Sequence, residues 1–168
     1  INGASDGAAE LALTEGIRSD VQALKQGARN LSDGQSLIRT AEGALSEVSS
    51  ILIRLRSLAS QAANGTVNDD ERQTVNLEYQ NLVSELDRIS SVTEFLGTQL
   101  LDGSLADSAA EHLVLQLGVD SSSDNQIDLN AEIDLTEVSS SALNLGDSNL
   151  NTQGGAFLAL NDLTVAID

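Results

Sequence analysis

An acidic turn near residue 120 has the spacing of a metal-binding loop. Asp120, Ser122 and Asp124 stand at alternate positions, as in the first half of a calcium-binding loop. The glycine expected at the sixth position is Asn125, and the bidentate glutamate expected at the twelfth is Ala131. The sequence therefore favours a solvated acidic turn over a calcium site.

Histidine and cysteine, which many catalytic and metal sites need, are almost absent from this chain. His112 is the only histidine and there is no cysteine, so neither a zinc site nor a histidine-based triad can be assembled within it. We expect His112 to be an ordinary strand residue. The pair Asp69 and Asp70 stands where a helix begins, and Asn30 and Asn64 match a glycosylation sequon that matters only in a eukaryotic secretory pathway. The sequence predicts no enzyme, no cofactor and no metal site.

Composition limits the possible partners and the kind of core. The 168 residues suffice for one domain, and 26 acidic against 8 basic residues give a net charge of −18. That charge argues against binding to nucleic acid or to an anionic membrane, and no apolar run reaches the roughly 20 residues of a membrane-spanning helix. With only three aromatic residues, the core must be aliphatic. Because methionine is absent, we expect a soluble interior piece of a longer protein.

A long helix at residues 41–66 organises the chain. Steps of three and four residues place side chains on one helical face, and two adjacent apolar rows predict at least two packing partners. Asn64-Gly65 should end the helix. The first row is Ala41, Leu45, Val48, Leu52, Leu55, Ala59 and Ala62, and the second is Leu37, Ala44, Ile51 and Leu58.

The segments around this helix complete a bundle. The apolar run from Ile17 to Leu31 joins it across Gly34, which favours one helix, with Ser5 or Asp6 as its N-cap. Asn68 and Glu71 form a capping-box pattern before a second helix. Eight apolar residues should meet in one three-helix seam: Leu45, Leu52, Leu55, Val75, Leu82, Leu86, Leu160 and Leu163.

These patterns predict a mainly α protein with one domain over residues 1–168. It should be an elongated antiparallel helical bundle or coiled-coil rod, with helices at about 5–63, 69–91 and 152–168. Two short alternating segments around a polar turn predict a small β-hairpin at about 112–130.

Nine short motifs follow one another along residues 1 to about 103: Ser5-Asp6-Gly7-Ala8-Ala9, Ala28-Arg29-Asn30, Asp33-Gly34, Thr40-Ala41-Glu42-Gly43-Ala44-Leu45, Arg54-x-Arg56-x-Leu58-Ala59, Gln61-x-Ala63-Asn64-Gly65, Glu85-Leu86-Asp87-Arg88-Ile89, Phe95-x-Gly97 and Leu100-Leu101-Asp102-Gly103. In this order and at this spacing they resemble the N-terminal segment of bacterial flagellin. Residues 150–168 resemble the start of its C-terminal helix. Gly7, Ile53 and Ser57 depart from residues common in the family.

The resemblance implies a structural subunit of the bacterial flagellar filament, secreted and located outside the cell, with other flagellin subunits as partners. The hook–filament junction protein of the same superfamily is the alternative. The family resemblance also implies recognition by vertebrate Toll-like receptor 5. The matching receptor-binding positions are Arg54, Leu58 and Glu78. Arg54 and Leu58 lie four apart on one helical face, and we expect an exposed leucine beside the arginine.

Overall fold

The computed structural model describes residues 4–167 and confirms the mainly α fold. Helix α1, Ala4–Ala63, is continuous for 60 residues, which gives it a length of about 90 Å. It passes through Gly34 without a break, as expected. The described helix begins at Ala4, so Ser5 and Asp6 lie within it, and the prediction that one of them is the N-cap was wrong.

Helix α2, Asp69–Val92, follows a short turn. The predicted capping box is present. The side chain of Asn68 accepts from the Glu71 N–H at 2.9 Å, and the Glu71 carboxylate accepts from the Asn68 N–H at 3.1 Å. Three acidic residues in the first turn of α2 face the positive end of the helix dipole.

The chain after α2 forms two small antiparallel strand pairs. Strand β1, Glu94–Phe95, pairs with β2, Thr98–Gln99, in a hairpin that the sequence did not predict. Strand β3, Val114–Gln116, pairs with β4, Gln126–Asp128, inside the region predicted as a hairpin. A 3-10 helix, Ser123–Asn125, lies between β3 and β4, and helix α3, Leu129–Ile133, follows β4. Helix α4, Gln153–Ile167, ends the described chain.

Helices α2 and α4 both pack against α1, which is therefore the central element of the bundle. Helix α4 runs antiparallel to α1, because Gln153 donates to the Ala63 carbonyl at 2.9 Å while Ile167 lines the same cavity as Leu45. All eight residues predicted for the seam belong to one hydrophobic cluster. Five of them are buried and three are partly buried.

The β3–β4 hairpin rests on α1 through two glycines. A Cβ at Gly27 would overlap the main-chain carbonyl of Leu117, and a Cβ at Gly34 would overlap the side chain of Leu115. Between the two glycines, Asn30 donates to the Gln116 carbonyl at 2.8 Å. The absence of a side chain at these helix positions lets the strand approach α1 closely.

Candidate partner-binding surface

The structure brings two of the three predicted receptor-binding residues together. Arg54 on α1 donates from Nε to the Glu78 carboxylate on α2 at 2.9 Å. The two side chains are 55% and 47% exposed, so the pair bridges the helices at the surface. An arginine held in this way presents a fixed, solvent-facing cation to a partner.

Leu58 does not lie at the surface. Its side chain is 2% exposed, so the expectation of an exposed leucine beside Arg54 was wrong. Leu58 ends the row of Leu37, Ala44 and Ile51, whose other members are buried or half-buried. Burial in the hydrophobic core stabilises it there. The exposed apolar residues next to the pair are instead Ile53 and Leu77, which precede Arg54 and Glu78 in sequence.

A second surface is an apolar seam of α1 alone, distinct from the three-helix seam described above. Its residues repeat every seven positions and are Ile17, Leu24, Leu31, Ile38, Leu45 and Leu52. Ile17 and Leu24 are 56% and 53% exposed and Leu31 is 39% exposed, whereas Leu52 is only 6% exposed. Ile38 and Leu45, at the intervening positions, are half-buried. The seam is next to α4 at Leu45 and Leu52 and next to the β3–β4 hairpin at Ile38, and it is open nearer the beginning of α1. Periodicity alone could not reveal this difference, because covered and open positions follow the same pattern.

The two helices that carry Arg54 and Glu78 are joined by a buried arginine. Arg72 donates to the Ala62 carbonyl at 2.9 Å and to the Asn64 carbonyl at 3.0 Å. It also contacts the Asp69 carboxylate at 3.0 Å. These bonds satisfy carbonyls at the end of α1, which otherwise lack partners within the helix. The sequence does not reveal this role, since nothing in the spacing of the arginines identifies which side chain is buried.

His112 lies two residues before β3, so it is not the strand residue that we expected. Its Nδ1 is 2.6 Å from the Asp128 carboxylate, which also caps α3 by accepting from the Asn130 N–H at 3.0 Å. The hydrogen bond to Asp128 raises the pKa of His112, and the same bond lowers the pKa of Asp128.

The acidic turn around Asp120 is held by its own polar groups. The Asp120 carboxylate accepts from the Ser122 N–H at 2.9 Å and from the Asn125 side chain at 2.6 Å. The Ser122 and Asn125 hydrogen bonds lower the pKa of Asp120. Within residues 4–167, no cluster of three or more carboxylates and imidazoles is arranged to hold a metal ion. None of the described helices is long and apolar enough to cross a membrane.

Comparison with known proteins identifies relatives of the chain. The family model of the bacterial flagellin N-terminal helical region matches residues 1–106. A flagellin of Halalkalibacterium halodurans is 43% identical over 85% of this chain and 48% of its own length. The flagellin of Bacillus subtilis is 38% identical over 98% of this chain and 54% of its own length. A flagellar filament core protein of Treponema maltophilum is 34% identical over 96% of this chain and 54% of its own length.

A solved structure has a similar fold. The crystal structure of Bacillus cereus flagellin matches with a TM-score of 0.65 and 33% identity, over 83% of this chain and 74% of that one. The chain spans about half the length of the relatives whose sequences it matches. The family model covers more than half of the chain, and several relatives align over most of it. The chain belongs to the bacterial flagellin family.

Proposed function

We propose that this chain is the helical packing region of a structural subunit of the bacterial flagellar filament, which lies outside the cell. The open apolar seam of α1 is the observation that carries the proposal. Ile17, Leu24 and Leu31 share one face and remain exposed. Exposed apolar stripes of this kind mark packing surfaces. A helix of the assembled filament would cover the seam in the way that α4 covers it from Leu45 onward.

The names of the relatives favour the filament over the hook–filament junction. Those of Halalkalibacterium halodurans and Bacillus subtilis are called flagellin, and the Treponema maltophilum protein is called a filament core protein. The role is structural, so packing surfaces rather than a reaction site carry the function. The proposed partners are other flagellin subunits.

A chimera tests the filament role. The segment of Bacillus subtilis flagellin that aligns with this chain is replaced by it, and filaments are scored by electron microscopy and swimming. We expect the chimera to form filaments. We expect its Leu24→Asp variant to be exported but to form no filaments. A charge in a packed seam has a large desolvation cost. Leu11→Asp is the matched control, because Leu11 is an exposed leucine that lies off the seam.

Either of two results would overturn the filament proposal. One is a chimera that is exported but builds no filament. The other is normal filaments from the Leu24→Asp chimera, because the seam would then not be a packing surface.

We also propose that Toll-like receptor 5 binds the surface around Arg54 and Glu78. The exposed ion pair between two helices supports this second function. An arginine with apolar neighbours is a frequent interface anchor. Leu58 lies beneath this surface, so its proposed part is to support α1 under Arg54 and not to touch the receptor.

The receptor proposal predicts separate effects on binding and on stability. Arg54→Ala should weaken the affinity for the receptor by about 2 kcal/mol or more. It should leave the thermal midpoint nearly unchanged, because an exposed ion pair contributes little to stability. Arg88→Ala removes another exposed arginine of a surface pair and is the control. Equal affinities for the two variants in a surface-binding assay would contradict the proposal.

A further inference from the structure

The turn between α1 and α2 contains an asparagine–glycine pair that the surfaces above do not use. Asn64 and Gly65 are exposed and directly follow Ala63, the last residue of α1. Among residues 4–167, no hydrogen-bond acceptor takes the Gly65 N–H. We propose that Asn64 is a site of spontaneous deamidation, at which the side-chain amide converts to aspartate and isoaspartate through attack by the Gly65 nitrogen.

The turn provides a donor for the oxygen on which negative charge develops. The side-chain oxygen of Asn64 accepts from the Thr66 N–H at 3.1 Å. When a nucleophile adds to the side-chain carbon of Asn64, this oxygen becomes an oxyanion, and a backbone N–H already aimed at it lowers the barrier. The neighbouring residue is glycine, so no side chain hinders the attacking nitrogen.

The main chain around the reacting groups is fixed at Asn64. Its carbonyl accepts from the Val67 N–H at 3.2 Å and from Arg72 at 3.0 Å. Its N–H donates to the Gln61 carbonyl at 3.2 Å. The Gly65 N–H, by contrast, belongs to an exposed residue of the turn and can lose its proton to hydroxide. The nucleophile, the electrophile and the oxyanion donor thus belong to three consecutive residues of one turn.

The reaction balances with water as the only other reactant. The deprotonated Gly65 nitrogen bonds to the side-chain carbon of Asn64. The carbon–nitrogen bond of the side-chain amide then breaks, and the nitrogen leaves as ammonia after taking a proton from water. The resulting five-membered imide is opened by water. Attack on the side-chain carbonyl gives aspartate, and attack on the main-chain carbonyl gives isoaspartate, in which the main chain runs through the former side chain.

Both products place a new negative charge at the end of α1. A carboxylate at the carboxyl end of a helix is opposed by the helix dipole. In isoaspartate, the carbonyl carbon whose oxygen accepts from Arg72 becomes the free carboxylate, and the main chain gains one methylene group before Gly65. The product therefore changes the geometry of the turn that sets α2 against α1.

Asn68 provides an internal control in the same turn. Its side-chain oxygen accepts from the Glu71 N–H at 2.9 Å as the N-cap of α2, and Asp69 follows it. Cleavage at Arg56 and Arg72 releases residues 57–72 as one tryptic peptide that contains both asparagines. One fragmentation spectrum therefore reports the two sites under the same conditions.

The experiment follows this peptide by mass spectrometry while the folded protein stands in mildly alkaline buffer. We expect Asn64 to convert at least about tenfold faster than Asn68. Gly65→Ala should slow conversion at Asn64 by about tenfold or more. This variant should fold, because the nearest atom to the added Cβ is the Gln153 side-chain nitrogen at 3.5 Å, an ordinary contact distance. Asn64→Gln should abolish the signal.

Three results would overturn the proposal. The first is equal conversion of Asn64 and Asn68, and the second is an unchanged rate in Gly65→Ala. The third is a rate in the folded protein more than about a hundredfold below that of a synthetic peptide of residues 57–72, since the turn would then hold the reacting groups apart.

Discussion

At the scale of single residues, Arg72 is the side chain on which the junction of α1 and α2 depends. Its guanidinium is almost completely buried, whereas its acidic neighbour Asp69 is exposed. The main-chain carbonyl of Ala62, in a buried hydrogen bond, and that of Asn64, in a partly buried one, therefore provide the main contacts of this charge. Arg72 stabilises the junction by satisfying those carbonyls more than by its ion pair.

Arg72→Ala should lower the free energy of unfolding by about 2–4 kcal/mol, because it leaves the buried Ala62 carbonyl without a donor and removes one of the two donors to the Asn64 carbonyl. Chemical denaturation followed by circular dichroism measures the change. Arg88→Ala, which removes an exposed arginine of α2, should change stability little. Similar losses in the two variants would show that the buried hydrogen bonds do not account for the effect.

The pair of His112 and Asp128 should make stability depend on pH. Asp128 raises the folded-state pKa of His112. The stability that protonated His112 contributes is therefore complete below the ordinary histidine pKa of 6.5 and is lost as pH rises through the folded pKa. The folded-state pKa of Asp128 is lowered, so its contribution holds above 3.8 and is lost as pH falls through the folded pKa. The pair therefore stabilises the fold most between these values.

Denaturation midpoints measured from mildly acidic to alkaline pH test the His112 contribution. The native protein should lose more stability across this range than His112→Gln, which cannot carry the charge. Since His112 is the only histidine, its imidazole resonance in NMR gives the folded pKa directly. A titration midpoint at or below 6.5 would contradict the assignment.

At the scale of elements, the β3–β4 hairpin depends on the shape of α1. Gly27 allows the main chain of Leu117 to lie against the helix, whereas a Cβ added at Gly43 would meet nothing within 4 Å outside its own stretch of helix. The same residue type thus has different roles in one helix. Gly27 permits a contact, and Gly43 only weakens the helix.

Opposite results are expected for two alanine substitutions in α1. Gly27→Ala should destabilise the protein by about 1–3 kcal/mol, because the added methyl displaces the hairpin backbone. Gly43→Ala should stabilise it by roughly 0.5–1 kcal/mol through helix propensity. Thermal denaturation of both variants measures the difference. Stabilisation by both would mean that the hairpin does not need close contact at Gly27.

The elements that the sequence predicted are those with repeated or paired signals. The continuous α1 followed from its periodic apolar residues, and the capping box followed from Asn68 and Glu71. The β1–β2 hairpin has only two residues in each strand. Its turn places Leu96 at a positive φ of 51°, a backbone conformation that leucine rarely adopts, so the leucine gives no sign of a turn. Gly97, at a φ of 85°, is the local turn signal, but strands of two residues are too short for an alternating pattern to predict the pairing.

The candidate surface was predictable only in part for a related reason. Residues at i and i+4 share a helical face, but a face includes both its buried centre and its exposed edge. Arg54 lies at the edge and Leu58 lies in the core. The position of the neighbouring helix decides which of the two residues is exposed and which is buried. The sequence of α1 does not contain that position.

At the scale of the whole molecule, α1 consists of a packed part and an arm, which we define as residues 10–26. Every residue from 10 to 22 is exposed, whereas the positions from Gly27 onward include contacts with the hairpin, α2 and α4. A helix of this length without tertiary contacts has marginal stability in water. The two parts of α1 should therefore open independently.

Hydrogen exchange should separate these parts. We expect amides of the arm to exchange rapidly and amides from about residue 37 to 63 to exchange only on global unfolding. Mass spectrometry of peptides from α1 measures both rates. Uniform protection along the 60 residues of α1 would indicate that the arm is covered in solution, for example by a second copy of the chain.

The unbroken α1 also has a mechanical consequence. A single helix carries load through hydrogen bonds that act in series along its axis, so a pull between its ends is felt equally by every turn. Turns inside the bundle are reinforced by neighbouring side chains, and turns of the arm are not. Under tension the arm should therefore unwind first and lengthen while the bundle keeps its shape. The molecule therefore combines a stiff helical bundle with an arm that can extend under load.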